Sequence, residues 1–537
     1  MKGCGRRGYR TGGGTQQRST QKHGSVEERE KENEKGKVVV EENSGSPFRY
    51  PVQWRNPQFY DEGDLENEMR RVFDVCHGCR RCFNLCNAFP TLFEMVDSAE
   101  GGELDTVPSE EFKKVADDCT LCDLCFVNKC PYVPPHELSI DFPHLILRYR
   151  AVENKRRNVG EKGEGMADTS RWLQPRFPKQ PVRDGTSTAL MKRPTSFIHR
   201  FYANQDLVAP LLARLSAIAN FSFSTSPTPS TTRRLIEMFL NIDARAELPP
   251  VLSSSETYMK KKKERGRKGE KVAKPIPLVT HSATKNVTIY PCCYGNYNEA
   301  SVPSAISYIA NRSQDYVCDR FEGCCGMPQL ESGHLKDVAE RASTIAARLL
   351  PELEEKDGVL VTAVSSCALM MKQEWPLLCP EDPNVTKLSQ RIMDASEYVV
   401  DLSGRSSLAM ELNSVEASVS LHHACHNRAQ NVGFKARDML SLVPGLKVTG
   451  IQKCSGHGGL WGVQKDNHTI ATKVGAPVVK KVQRELKKAK STHFVASDCP
   501  LAASHIVKGT RSSGKSVTSA HPVEIFAWAL GHDKPGG

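Results

Sequence analysis

Two groups of four cysteines lie close together between Cys76 and Pro131. The first group is in the stretch VCHGCRRCFNLC and consists of Cys76, Cys79, Cys82 and Cys86. The second is in the stretch CTLCDLCFVNKCP and consists of Cys119, Cys122, Cys125 and Cys130. Three thiolates at this repeated spacing can bind one face of a cubane iron–sulfur cluster, and a fourth ligand then comes from elsewhere. The two stretches therefore predict two [4Fe–4S] clusters.

The fourth cysteine of each motif is expected to bind the cluster of the other motif, as in proteins with two such clusters. The first ligand set is then Cys76, Cys79, Cys82 and Cys130. The second is Cys119, Cys122, Cys125 and Cys86. Zinc sites usually carry paired Cys-x2-Cys knuckles without a third cysteine at the same step. A disulfide scaffold suits a small secreted chain, whereas this one has 537 residues.

Cysteines also follow the short apolar runs of the C-terminal half, which are predicted to be strands. The pairs of run and cysteine are Val287–Tyr290 with Cys292 and Cys293, Val359–Val361 with Cys367, Val419–Leu421 with Cys425, and His493–Val495 with Cys499. Amphipathic helices are predicted between them, for example through Val338, Ala342, Ile345 and Leu349. Such alternation predicts an α/β domain with a largely parallel sheet. Ligands of these sheets bind at the carboxyl ends of strands, so the cysteines predict a site there.

The C-terminal half contains an internal repeat. Its first copy has Cys293, Cys324-Cys325-Gly326 and Cys367, and its second has Cys425, Cys454-Ser455-Gly456 and Cys499. The first intervals are 31 and 29 residues (324 − 293 and 454 − 425), and the second are 42 and 44 (367 − 325 and 499 − 455). This parallel spacing predicts a duplicated fold with a metal site or redox cleft between the copies.

Simpler interpretations of these residues stay open. Free cysteines are often buried core residues, which would account for Cys318 and Cys379. Burial in the core accounts less well for Cys324 and Cys325, because adjacent side chains point in different directions. Four histidines near the second copy could replace thiolates at iron or could only donate hydrogen bonds. They are His422, His423, His426 and His457.

These motifs resemble a family of iron–sulfur proteins with a two-cluster ferredoxin module and two cysteine-rich CCG domains. The family includes the iron–sulfur subunits of anaerobic glycerol-3-phosphate dehydrogenase and of glycolate oxidase, together with heterodisulfide reductase-related proteins. The matching stretches include VCHGCRRCFNLC, CTLCDLCFVNKCPYVPPHE, CCYGNYNEA, CCGMPQLESGHL, HHACHNRAQNVG and KCSGHGGLWG. The resemblance covers about residues 66–153 and 283–530.

The resemblance implies electron transfer from a flavoprotein dehydrogenase to a quinone or another membrane-associated acceptor, or in some relatives to a disulfide. It assigns the eight N-terminal cysteines to the two cubanes. It also assigns possible cluster ligands in the CCG half, namely Cys293, Cys324, Cys325, Cys367, Cys425, Cys454 and Cys499. Met370, Ser455 and Ala502 stand where a complete non-cubane set has cysteines. These departures argue against two complete non-cubane clusters and leave a smaller cluster or a structural role open for the first copy.

The net charge of +11 is concentrated in two segments. Met1–Lys22 contributes +6, and Lys260–Lys274 contributes +7 from nine bases and two acids, so the rest of the chain sums to −2. Two basic low-complexity segments favour solvated connectors over a nucleic-acid surface. Cysteine usage predicts a reducing compartment. That is the cytoplasm, with peripheral contact at the inner face of a membrane, or the mitochondrial matrix in a eukaryote.

The predicted fold class is α/β combined with a small α-helical ferredoxin-type module. The predicted organisation is a disordered segment (1–47), the two-cluster module (48–153), a partly helical linker (154–280) and two CCG domains (281–405 and 415–530). The sequence predicts helices over Leu65–Val75, Phe142–Glu153, Leu207–Ala219 and Arg234–Asn241.

The sequence-based hypothesis is an electron-transfer subunit that serves a flavoprotein dehydrogenase. The alternative is a self-contained thiol–disulfide reductase with catalysis in the CCG half. A third hypothesis is a scaffold or regulator that carries clusters. No flavin motif or Ser-His-Asp signature is evident, so the chain itself is not expected to oxidise an organic substrate.

Overall fold

The computed structural model describes residues 47–162, 201–224, 230–253, 286–312, 317–405, 411–511 and 517–536. The expected disordered segment falls almost entirely outside these ranges, as do the basic run Lys260–Lys274 and much of the expected linker. All described residues belong to one compact unit, Ser44–Gly537.

Two four-stranded sheets form the centre of the C-terminal half. The first contains β1 (Val287–Tyr290), β2 (Val317–Arg320), β3 (Val359–Thr362) and β4 (Ile392–Asp394), in the order β2-β1-β3-β4. The second contains β5 (Ala417–His422), β6 (Lys447–Ile451), β7 (Thr492–Ser497) and β8 (Thr518–Ala520), in the order β6-β5-β7-β8. Every ladder in them is parallel, which confirms the prediction of an α/β architecture with parallel sheets.

The four strands predicted from apolar runs are β1, β3, β5 and β7, which occupy the two inner positions of each sheet. These strands are mostly buried because helices cover both faces of a parallel sheet. The edge strands were not predicted. Their sequences are shorter or more polar, as in β6 with Lys447 and Thr449.

Helices surround and connect the strands of this half. They are α9 (Cys292–Tyr297), α10 (Ser301–Arg312), α11 (Met327–Glu331), α12 (Leu335–Glu355), α13 (Ser365–Leu369), α14 (Trp375–Leu378), α15 (Pro383–Ser389), α16 (Ala395–Arg405), α17 (Cys425–Ala429), α18 (Lys435–Ser441), α19 (His468–Lys488), α20 (Pro500–Thr510) and α21 (Pro522–Ala529). The predicted amphipathic helix is α12, and its four predicted contact residues are buried.

The N-terminal part consists of helices and turns. Its helices are α1 (Glu62–Cys79), α2 (Ala88–Asp97), α3 (Phe112–Asp118), α4 (Leu124–Asn128) and α5 (Phe142–Lys162). The helices predicted at Leu65 and Phe142 are confirmed, and both are longer than predicted. One hydrophobic cluster contains Phe73 and Leu92 from these helices together with Val338 and Leu360 from the first sheet and its helices. The N-terminal helices therefore pack directly on the first sheet.

The middle region contributes three helices, α6 (Gln205–Arg214), α7 (Ser216–Phe223) and α8 (Thr231–Leu240). The prediction of one helix over Leu207–Ala219 was wrong, because the backbone leaves helical geometry at Leu215 (φ −108°, ψ 26°) and bends there by 101°. No single helix in the described ranges has the length and apolar composition to cross a membrane, although α6 and α7 together pass on these two criteria.

Candidate functional site

The first cysteine motif lies at the junction of two helices. Cys76 and Cys79 occupy the last turn of α1, which ends because Arg80 adopts a left-handed conformation (φ 53°). Cys82 is in the following turn. Cys86 precedes α2, and the backbone N–H groups of Ala88 and Phe89 donate to its sulfur. A helix N-terminus stabilises a thiolate, so this position suits a metal ligand.

The structure brings the predicted first ligand set together. Burial raises the pKa of the Cys76 thiol, and the nearby sulfurs of Cys130, Cys82 and Cys79 raise it further. Burial also raises the pKa of Cys82 to about 11, with Cys130 and Cys79 as neighbours. Cys130 follows α4 in sequence, whereas the other three belong to the first motif. The four thiols therefore lie near one another, and their crossed ligation of one cluster stays a prediction.

The predicted second set is also close together. Burial raises the pKa of Cys125, and Cys122, Cys119 and Cys86 contribute further. Cys119 is buried, and its pKa is raised to about 12 by burial. Cys122 differs because its pKa is lowered, first by a hydrogen bond from Cys425 in the second sheet. Cys122 therefore faces both its own motif and the C-terminal half.

The two groups of four thiols match in number the donor sets of two cubane clusters. Each thiolate of a cubane binds a different iron atom, so its four cysteines need not converge on one point. The groups are adjacent, because Cys82 of the first contributes to the raised pKa of Cys125 in the second.

Five cysteines meet at the carboxyl edge of the first sheet. They follow its three adjacent strands: Cys292 and Cys293 after β1, Cys324 and Cys325 after β2, and Cys367 after β3. Cys292 was not among the predicted ligands, although the doubled cysteine was visible in the sequence. It is 1% exposed and has a left-handed backbone (φ 58°), which directs both neighbouring thiols into the site.

These five thiols lie close enough together to shift one another's pKa values. Cys324 accepts from Cys293 and Cys325, and these bonds hold its pKa well below the ordinary value. The neighbouring thiols of Cys292 and Cys325 raise the pKa of Cys367. The indole Nε1 of Trp375 donates to the carbonyl of Cys325 at 3.0 Å, which fixes the backbone of the central residue. The arrangement supplies several soft donors to iron or a redox-active thiol set.

The second sheet brings together fewer thiols. Cys122 and Cys454 both lie beside Cys425, and the interaction with Cys425 lowers the pKa of Cys454 to about 7. Cys499 does not join this group. It lies near Cys292 of the first sheet, and burial raises its pKa to about 11. The predicted second copy therefore contributes to two different thiol groups.

Ala502, Ser455 and Met370 occupy the positions where the resemblance expects further cysteines. All three are buried. Met370 begins a π-helical turn, Met370–Glu374, between α13 and α14. Cys379 lies apart and donates to the carbonyl of Ala339 at 3.5 Å, so it has a structural environment.

The two repeat copies of the C-terminal half share one further local feature. The N–H of Gly326 donates to the sulfur of Cys324 at 3.4 Å, and the N–H of Gly456 donates to the sulfur of Cys454 at the same distance. Both glycines have left-handed backbones, with φ of 87° and 77°. Each sulfur is thus held by a glycine two residues later.

Gly456→Ala should destabilise the protein far more than Gly433→Ala. A Cβ at Gly456 would lie 2.0 Å from the carbonyl oxygen of Ala471, so α19 would have to move. Gly433 has a similar φ of 84° and open space around it. We expect a loss of more than about 3 kcal/mol at Gly456 and about 1 kcal/mol at Gly433. Thermal unfolding of both variants measures this, and equal losses would contradict the close contact.

The four candidate histidines have different environments. Both ring nitrogens of His422 are hydrogen-bonded, at 3.1 Å to Ser497 Oγ and 3.1 Å to the carbonyl of Lys453. The Nδ1 of His426 is 2.8 Å from Ser366 Oγ, and the ring of His423 packs on Phe434. His422 and His426 thus have hydrogen-bond partners, and His423 has an aromatic contact.

Two buried ring nitrogens, Nε2 of His457 and Nδ1 of His423, have no hydrogen-bond partner in the described part of the chain. Burial lowers the pKa of His457 to about 3 and that of His423 to about 4, so both rings are neutral and keep a lone pair. Of the two, only His457 lines the cavity that the cysteines share, so it is the better placed to bind a metal there.

One cavity of about 370 Å³ connects the N-terminal module with both sheets. Ten cysteines line it: Cys86, Cys122, Cys292, Cys293, Cys324, Cys325, Cys367, Cys425, Cys454 and Cys499. The ring of His457 also lines it. Apolar side chains of the middle helices, including Val208 and Leu212, form another wall. Thiols from three parts of the chain thus share one cavity.

A buried ionic network fixes the module beside this cavity. The guanidinium of Arg49 contacts the carboxylates of Asp123 at 2.9 Å, Asp141 at 2.7 Å and Glu374 at 3.2 Å. It also lies over the ring of Phe126, at 4.4 Å. Asp123 immediately follows Cys122, and Glu374 belongs to the first-sheet half. Arg49 therefore joins the second cysteine motif to the C-terminal half.

Comparison with known proteins identifies the class of the first cysteine-rich region. Residues 287–372 match the family "CCG: Cysteine-rich domain". This range contains all five thiols of the first sheet. The chain thus contains a CCG cysteine-rich domain built on a parallel sheet.

Three curated proteins show more distant similarity. Citrate utilization protein B of Escherichia coli is 34% identical over 85 residues, which are 16% of this chain and 20% of that protein. The uncharacterized protein YkgE of Escherichia coli (strain K12) is 22% identical over 214 residues, which are 38% of this chain and 83% of that protein. Lactate utilization protein A of Geobacillus thermodenitrificans (strain NG80-2) is 24% identical over 189 residues, 33% of this chain and 71% of that protein.

The comparisons support an iron–sulfur-related class and do not single out the glycerol-3-phosphate dehydrogenase type. The chain spans only one fifth of the first of these relatives. Among solved structures, glutamate racemase isoform RacE1 from Bacillus anthracis is 14% identical, with coverage of 47% of this chain and 81% of that chain. Its TM-score is 0.21, so the likeness carries no conclusion about the fold.

Proposed function

We propose that this chain is an iron–sulfur electron-transfer protein. The two groups of four N-terminal cysteines hold one [4Fe–4S] cluster each, and the C-terminal half is a duplicated CCG domain. When bound, these clusters supply one-electron redox chemistry. The observation that carries the proposal is the cavity in which Cys86 and Cys122 of the module lie with thiols of both sheets.

The residues around the clusters would keep water out and hold the thiols in place. Cys119 and Cys125 are buried, and so are Cys324, Cys325 and Cys367. The contact of Cys122 with Cys425 gives the module a direct connection to the second sheet. Arg49 offsets the charge of Asp123 beside this contact. Buried thiols and local charges are among the features by which a protein sets a cluster's potential.

The proposed donor is a flavoprotein dehydrogenase of the glycerol-3-phosphate or 2-hydroxy-acid type, and the proposed acceptor is a quinone or another acceptor at a membrane. The name of lactate utilization protein A supports the 2-hydroxy-acid alternative, because lactate belongs to that class. The proposed organisation is the two-cluster module at 48–153 followed by CCG domains at 281–405 and 415–530. The two sheets have equivalent strand orders, β2-β1-β3-β4 and β6-β5-β7-β8, and this equivalence supports the duplication.

Electron delivery to a quinone tests the proposal. The anaerobic holoprotein is reduced with dithionite, freed of excess reductant and mixed with menadione, and the cluster absorbance is followed by stopped flow. We expect oxidation by menadione, slowed about tenfold in Cys425→Ser because the contact with Cys122 is lost. Cys379→Ser is the matched control and should behave as wild type. Failure of menadione to oxidise the protein, or equal rates in both variants, would count against the proposal.

The connected thiols of the first sheet favour a second candidate function, a thiol–disulfide reductase. Cys324 has a lowered pKa and two thiol donors, as a nucleophilic thiolate requires. A disulfide reductase also catalyses the reverse reaction, the oxidation of thiols. Two thiols would then form a disulfide and give two electrons to a dye and two protons to water. Thiol-dependent dye reduction by the purified chain, without a flavoprotein, would favour this function over the electron-transfer subunit.

A further inference from the structure

The three middle helices carry an unusually apolar outer surface, here called the outer helical surface. Among the described residues, eleven large hydrophobic side chains are exposed, and eight of them belong to this region. They are Leu207 (70% exposed), Leu211 (58%), Leu215 (49%), Ile218 (64%), Phe221 (75%), Leu235 (51%), Met238 (48%) and Phe239 (63%). A contiguous apolar surface of this kind usually marks a binding site for a protein or a membrane.

The distribution of side-chain size on these helices is the reverse of that in an ordinary surface helix. The residues of α6 and α7 that are fully buried are the small Ala213 and Ala219, which pack with Val251. Most of the large apolar residues of these helices are exposed, although Val208, Leu212 and Phe223 face the protein interior. A soluble amphipathic helix places its large apolar residues towards the core and its polar residues towards water. The outer helical surface therefore suits an apolar environment.

The charges of these helices are arranged asymmetrically. Asp206 pairs with Arg341 at 2.7 Å, and Glu237 pairs with Lys465 at 2.8 Å, so both carboxylates are bound to the protein body. Arg214 and Arg234 are exposed and form no ion pair within the described ranges. The outer helical surface thus combines apolar side chains with unpaired positive charge. This combination matches an anionic lipid surface.

The shape of α6 and α7 fits a helix pair that lies on a bilayer. The two helices have 10 and 8 residues and meet at 101°. Each is much shorter than the roughly 20 residues that cross a bilayer. Apolar residues from both helices and from α8 remain available along the outside. Short amphipathic helices of this kind can lie in the membrane interface with their apolar side inserted.

We propose that the outer helical surface docks the protein on an anionic lipid bilayer. The inner side of the same helices lines the cysteine cavity through Val208, Leu212 and Phe223. Docking would therefore place the bilayer one helical layer from the thiols. The inference deepens the proposed function, because a quinone acceptor resides in the membrane. The docking surface itself rests on the exposed residues and not on the electron transfer.

Vesicle flotation of the full-length holoprotein tests this inference. The probes are phosphatidylcholine vesicles with and without about 30% phosphatidylglycerol. We expect wild type to float with the anionic vesicles. The triple variant Leu211→Ser, Ile218→Ser, Phe221→Ser should lower the partition coefficient by about tenfold or more, because its apolar anchors are lost. Arg214→Gln with Arg234→Gln should weaken binding to anionic vesicles selectively.

Matched controls separate docking from misfolding and from protein association. Leu211→Ser is compared with Leu442→Ser, another exposed leucine outside the middle helices. Iron content and the thermal midpoint should stay at wild-type values in both. Wild type that fails to float, or a triple variant that floats equally well, overturns the proposal.

Light scattering tests whether a second copy of the chain covers the outer helical surface instead. A dimer that is lost in the triple variant, with no vesicle binding by wild type, would assign the surface to a second copy. Menadione oxidation in detergent-free buffer tests the electron transfer independently.

Discussion

Cys125→Ser should remove about four of about eight irons per chain, together with a similar amount of acid-labile sulfide. Cys125 is buried in α4, and its thiol is surrounded by Cys122, Cys119 and Cys86. A serine hydroxyl is a poor ligand for iron in this buried position, so the second cluster should not assemble stably. The first cluster should remain, because Cys125 is not among its four cysteines.

The measurement is iron and sulfide analysis of anaerobically purified protein, with low-temperature EPR after reduction. Cys379→Ser is the matched control, because Cys379 is also buried but lies apart from the other thiols. It should retain the full iron content and the full signal. An unchanged iron content in Cys125→Ser would mean that this residue is not a ligand, and the assignment of the second set would fail.

Arg49→Ala should lower the free energy of unfolding by about 3–5 kcal/mol. Asp123, Asp141 and Glu374 would then share a buried site without the guanidinium that neutralises them. Arg55→Ala is the matched control from the same segment. Its ion pair with Glu381 is exposed, so we expect a loss of at most about 1 kcal/mol. Thermal or denaturant unfolding of both holoproteins measures the difference, and similar losses would contradict this role of Arg49.

The effect of Arg49→Ala should also depend on pH. Burial would raise the pKa of Asp141, but Arg49 and His144 outweigh it and lower this pKa from 3.8 to about 2. A lowered carboxyl pKa gives stability that is full above its ordinary value of 3.8 and is lost as the pH falls through about 2. The gap between wild type and Arg49→Ala should therefore be largest near neutral pH and shrink as the pH falls below 3.8. A gap that stays constant down to acid pH would exclude the carboxylates as its cause.

Part of the site could be predicted because cysteines follow strands. Carboxyl ends of neighbouring parallel strands share one edge of a sheet, so Cys293 and Cys367 were expected at the same edge. Cys325 was included only through the internal repeat, because the edge strand β2 before it was not predicted. The role of Cys292 could not be predicted from spacing. Two adjacent cysteines offered two candidates, and the structure places both thiols at the cavity.

Contacts between distant parts of the chain were beyond prediction from one sequence. The contact of Cys122 with Cys425 joins residues 303 positions apart (425 − 122). Nothing in the local sequence of either motif indicates it. The same holds for Arg49, whose three carboxylate partners come from three separate stretches. Local periodicity also failed at Leu215, where a continuous apolar pattern conceals a sharp bend.

Iron and acid-labile sulfide analysis of the wild-type protein, purified without oxygen, tests the central claim most directly. We expect about eight irons and eight sulfides per chain from the two cubanes, and more if the CCG half is also loaded. Reduction should give the EPR signals of [4Fe–4S] clusters. Zinc in place of iron, or iron without labile sulfide, would contradict the claim that the eight N-terminal cysteines hold two iron–sulfur clusters.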